Sequence, residues 1–94
     1  MNEASEFIAV VQKDGNGGFF STFPDFPDCI SFAPTEDEAI DMAADALAEQ
    51  IEEMRRSGEA TPVPSTFNEV FADPKWRGAL IIRMRPGVRP SIRP

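Results

Sequence analysis

The sequence predicts a two-layer α+β fold in the order β-β-β-α-β: an antiparallel hairpin, a third strand, one long helix packed on the sheet, and a final strand beside the first. Three observations carry this expectation. The runs Phe7–Gln12, Phe19–Phe23 and Cys29–Phe32 are short, apolar or alternating, and bounded by glycine, proline, asparagine or aspartate, as strands are. The stretch Thr35–Ser57 repeats apolar residues at helical spacing. A further alternating run, Ala79–Met84, follows it, and 94 residues leave room for one domain.

Phe7-Ile8-Ala9-Val10-Val11-Gln12 is too short for a stable helix and apolar on both parities, so it reads as a strand buried on much of both faces. Lys13 to Gly18 then supplies the glycines and asparagine that a hairpin connection needs for positive φ. Phe19 to Phe23 returns as the second strand. Pro24 and Pro27 stop it and hold Asp25, Phe26 and Asp28 in an extended loop before the third strand. Phe19, Phe20, Phe23, Phe26 and Phe32 are expected to supply much of the core area.

The helix has the clearest signals. Thr35 is an N-cap with Glu38 three residues on, the spacing of a capping box, and Glu36, Asp37 and Glu38 suit the positive end of the dipole. Ile40, Ala44, Leu47, Ile51 and Met54 form one apolar stripe, and Gly58 follows Arg55 and Arg56 as a stop. Opposite the stripe, Asp37, Asp41, Asp45 and Glu52 share a narrow band flanked by Glu38, Glu49 and Glu53. Like charges at i, i+4 weaken a helix by a few tenths of a kcal/mol each. A helix selected for stability alone would interleave lysine here; the band points to a basic partner instead. The plainer alternative is a solvated face.

After the helix, Thr61–Ser65 is an extended connector fixed by two prolines, with Ser65 capping a short turn through Phe67, Val70 and Phe71. The last strand, Ala79–Met84, is an exposed sheet edge, from which a homodimer or tetramer is expected. Residues 1–85 form the folded domain and 86–94 a basic, proline-rich tail.

Charge and composition narrow the function. The net charge is −7, yet residues 1–74 hold all 16 acids against Lys13, Arg55 and Arg56, while residues 75–94 hold six basic residues and no acid. The acidic body repels nucleic acid; the basic tail either touches phosphate, through Arg83, Arg85, Arg89 and Arg93, or folds back onto the body. With no histidine, the commonest metal ligand and general base is missing, and Ser, Thr and Cys nucleophiles lose their usual activator. The single cysteine, Cys29, forms no internal disulfide and reads as a small buried residue. The first six residues carry neither basic charge nor an apolar run, so no secretory leader is read there and a reduced cytoplasmic setting is expected. No cofactor or metal is expected.

The stretch Gly18-Phe19-Phe20-Ser21-Thr22-Phe23-Pro24-Asp25-Phe26-Pro27-Asp28-Cys29 resembles the glycine-aromatic, F-P-D-[LF]-P-G-C hallmark of HicB-type antitoxins. Thr35-Glu36-Asp37-Glu38-Ala39 resembles the T-x-x-E-A entry to that family's helix, and Pro62-Val63-Pro64-Ser65 its P-x-P-S connector. Asp28 departs from the pattern, standing where the family usually has glycine. The resemblance covers residues 7–82 and implies a partial ribonuclease H-like fold without nuclease activity. It also implies a partner, a small basic HicA-type toxin that cleaves mRNA. Operator DNA would be bound only through a longer chain, and Val88–Pro94 resembles the lead-in strand of a ribbon-helix-helix module.

Three functions are weighed. An antitoxin covers the toxin through Asp41, Asp45, Glu49, Glu52, Glu53 and the aromatic loop at Phe26. A transcriptional regulator lacking its DNA-binding module uses the basic tail. A degenerate ribonuclease H-like enzyme needs clustered carboxylates for two metal ions, and the central strand Ile8–Val11 offers none.

Overall fold

The computed structural model describes residues 6–90. Four strands, β1 (Phe7–Lys13), β2 (Phe19–Phe23), β3 (Phe26–Ala33) and β4 (Leu80–Met84), form one antiparallel sheet in the order β3-β2-β1-β4. The long helix α1 (Glu36–Ser57) lies across one face; a short helix α2 (Phe67–Phe71) and a 3-10 turn (Pro74–Trp76) lie on the other. The predicted α+β order and the pairing of the last strand with the first are both present.

β1 is central because it is apolar on both sides. Phe7, Ala9 and Val11 pack beneath α1 with Ile40, Ala43, Ala44 and Leu47, while Ile8 and Val10 pack beneath Val70, Phe67 and Trp76. α1 is buried through Ala39 and Ala43 as well as through the predicted stripe, and its ends are as expected. Thr35 Oγ1 accepts the Glu38 amide at 3.1 Å, and Gly58 closes the helix in the left-handed region at φ 76°. The reciprocal capping box forms elsewhere: at α2, Thr66 and Glu69 exchange both bonds.

Several local expectations give way. β3 begins at Phe26 rather than Cys29, because Pro24 and Asp25 alone make the turn and Phe23 pairs with Phe26. Proline is accommodated at position 27 because β3 is an outer strand. The five strand and turn phenylalanines do not act as one set. Phe23 and Phe26 are core, whereas Phe20 and Phe32 pair across the strands on the opposite sheet face, ring centroids 6.1 Å apart. Ser65 does not cap α2. Its amide and hydroxyl donate to the Asp25 carboxylate at 2.9 and 2.7 Å, tying the connector after α1 to the β2–β3 turn. Gly18 is needed for space, since a Cβ there would meet the Ala33 carbonyl oxygen at 2.9 Å.

Candidate functional site

The acidic face of α1 follows from the way the helix is buried. With its alanines, Ile40 and Leu47 held against the sheet, the residues half a turn away must face water, and Asp37, Asp41, Asp45, Glu49, Glu52 and Glu53 are exposed. The structure does not leave them equivalent. At the amino-terminal end, Arg89 bridges Asp37 and Asp41: Nη1 donates to Asp41 Oδ1 at 2.6 Å and to the Asp37 carbonyl at 3.0 Å, and Nη2 donates to Asp37 Oδ1. The Asp41 bond first, and Asp37 after it, raise the Arg89 guanidinium above its already high ordinary value. At the other end Arg55 binds Glu52 and Arg56 binds Glu53, each at 2.9 Å. Among the described residues Asp45 and Glu49, one turn apart, and Glu38 at the helix start are in no ion pair, and Glu38 is bonded to the Thr35 cap.

The expected band thus carries ion pairs toward both ends and has an open centre. The Arg55 and Arg56 pairs lie within helical spacing, a local signal in the sequence that the reading of Glu52 and Glu53 as open acids passed over. The Arg89 bridge spans 48 and 52 residues and was visible only as the general possibility that a basic tail folds back. It is held by more than charge: Gly87 N donates to the Ala44 carbonyl at 2.9 Å, and Arg85 and Val88 form a two-residue bridge that turns the chain onto the helix.

Phe26 leaves the contact set. Its side chain is only 4% exposed, edge-on to Phe7 at 4.8 Å and to Phe23 at 6.5 Å, so it holds β3 to the core and presents no surface to a partner.

Arg83, Arg85 and Arg89 line one open hollow of about 450 Å³ with Glu6, Val88 and Pro90. Each has a local contact. Arg83 lies over the Phe67 ring at 5.2 Å, Arg85 Nε is 3.9 Å from Glu6, and Arg89 is committed to α1. Arg93 and the rest of the Val88–Pro94 lead-in beyond Pro90 lie outside the described residues. Burial pushes the Cys29 thiol up, with the Glu49 charge adding to it, so Cys29 sits as a protonated core side chain. Among the described residues no three Asp, Glu or Cys side chains converge as a metal-ligand set, and no helix is long and apolar enough to cross a membrane.

These features were compared with known proteins. The family model described as "HicB_like antitoxin of bacterial toxin-antitoxin system" matches residues 7–86. Antitoxin HicB 1 of Photorhabdus laumondii is 35% identical over 57 residues, covering 61% of this chain and 37% of that protein. The crystal structure of the Burkholderia pseudomallei antitoxin HicB superposes with a TM-score of 0.76 at 31% identity, over 85% of this chain and 61% of that one. A HicA3 and HicB3 toxin-antitoxin complex contains the same fold, with a TM-score of 0.70 at 24% identity over 86% of this chain and 96% of that one. This chain therefore spans well under two thirds of the Photorhabdus relative's length. On the extent of the family match, the chain belongs to the HicB-like antitoxins of bacterial toxin-antitoxin systems.

Proposed function

We propose that this chain is the toxin-binding part of an antitoxin, that its partner is a small basic HicA-type toxin that cleaves mRNA, and that it inhibits without catalysis of its own. The observation that carries the reading is the open centre of the acidic helix face, Asp45 and Glu49, displayed on a helix whose other side is locked into the core. A toxin that holds RNA presents cations to phosphate, and carboxylates at helical spacing compete for those cations. The family membership and a HicA–HicB complex built on the same fold support the choice of partner.

The test is inhibition of a purified HicA-type toxin from the same genome, acting on a fluorescent RNA. Wild-type chain at stoichiometric amounts should abolish cleavage. Asp45→Lys with Glu49→Lys should require at least about tenfold more protein, since reversing charges at an electrostatically steered surface acts first on association. Circular dichroism should show the fold retained, because neither side chain enters the core. Full inhibition by the double variant at low salt would reduce the acidic face to a solvated one.

A further inference from the structure

β3 is an outer strand, and the guards that outer strands usually carry are confined to its start. Pro27 and Asp28 stand at its start, but Cys29-Ile30-Ser31-Phe32-Ala33 holds no charge. Ile30 and Phe32 are 50% and 61% exposed on the sheet face away from α1.

The direction of the free backbone groups follows from the ladder. Asp14 N donates to Gly18 O at 2.8 Å, so pairs two residues apart from it, Gln12↔Phe20 and Val10↔Thr22, exchange hydrogen bonds between β1 and β2. Phe19 and Ser21 therefore turn their amides and carbonyls to β3, where they meet Ala33 and Ser31. Ile30 and Phe32 point theirs outward, and neither makes a backbone bond to a loop among the described residues. One pair of residues thus offers unpaired main-chain groups and exposed apolar side chains together.

The charge around this edge selects the occupant. The flank of α1 beside β4 is closed by the Gly87 and Arg89 contacts, whereas Glu49 lies toward Cys29 of β3, and neither Glu49 nor Asp28 is ion-paired among the described residues. A second copy pairing its Phe32 with Ile30 about a two-fold axis would set Asp28 opposite Pro34, and its β3, which holds no Lys or Arg, would leave Asp28 and Glu49 without a counter-charge. A basic partner supplies that counter-charge.

We propose that the basic partner inferred above adds an extended strand to the free edge of β3, pairing with Ile30 and Phe32 while Asp28 and Glu49 meet its cations. This rests on the antitoxin reading and specifies its mode of contact.

The signature is alternation. Amide hydrogen exchange is measured residue by residue on the chain alone and on its complex with an inactivated HicA-type toxin from the same genome. Exchange at Ile30 and Phe32 should slow by about tenfold or more in the complex. Ser31 and Ala33, already bonded to β2, should change far less. Ile30→Pro removes one outward amide and leaves the β2 ladder intact, and should weaken toxin binding by about tenfold. A complex in which Ile30 and Phe32 exchange as in the free chain overturns strand addition and leaves the antitoxin reading standing. Protection of both amides in a dimeric free chain overturns it in favour of a second copy. Absence of any toxin binding overturns the antitoxin reading and this inference with it.

Discussion

Arg89 sets how much of the acidic face a partner meets. It holds two of the carboxylates at the start of α1, and it sits after Gly87, whose φ of 74° is a left-handed conformation that disfavours any side chain. The ion pairs are exposed, so Arg89→Ala should leave the melting temperature nearly unchanged. It should speed exchange of the Gly87 and Val88 amides and make association with a basic toxin a few-fold faster at low salt. Slower association would mean that Arg89 itself touches the partner. Two other residues make sharp tests. Thr22 Oγ1 is buried without a hydrogen-bond partner among the described residues, so Thr22→Val should stabilise the fold by up to about 1 kcal/mol in urea unfolding. Cys29 has its thiol raised above the ordinary 9.0 by burial and by Glu49. Its neutral form is the one the fold favours, so its contribution is full below that value and fades as the pH rises through the folded one. Thiol labelling at pH 8 should be slow in the native chain and immediate in denaturant.

The elements show what a sequence can and cannot specify. α1 was legible to the residue because its signals are local: a threonine cap, an apolar stripe, a glycine stop. The hairpin β1–β2 was legible for the same reason. The start of β3 was not, since two prolines argue for a loop unless the strand is known to be an outer one, and strand order is a property of the whole sheet. Phe26 was read into the loop by the same error; it was rightly counted toward the core, and its burial removes it as a candidate contact. The Asp25–Ser65 link shows the cost of long range most clearly, as two segments 40 residues apart share one carboxylate. Asp25→Ala should leave the Ser65 amide and hydroxyl without their acceptor and cost about 1–3 kcal/mol of stability by urea unfolding. A loss well below that would mean that water replaces the carboxylate.

For the whole molecule, charge is the organising quantity. A net −7 is concentrated on the helix layer, and of the basic residues near the end of the chain Arg85 pairs with Glu6 and Arg89 with the start of α1, while Arg83 lies over Phe67. Duplex DNA should therefore bind this chain weakly, without sequence preference, and be lost steeply as salt rises. Tight operator binding by these 94 residues would contradict that. The central claim is that the open acidic centre of α1 steers a basic toxin onto the chain. Its most direct test is the association rate of an inactivated HicA-type toxin, followed by stopped flow from low to physiological salt, for wild type and for Asp45→Lys with Glu49→Lys. Wild type should associate fast and slow markedly as salt is added, while the double variant should start at least about tenfold slower and respond little to salt. Equal rates and equal salt slopes for the two proteins would contradict the claim.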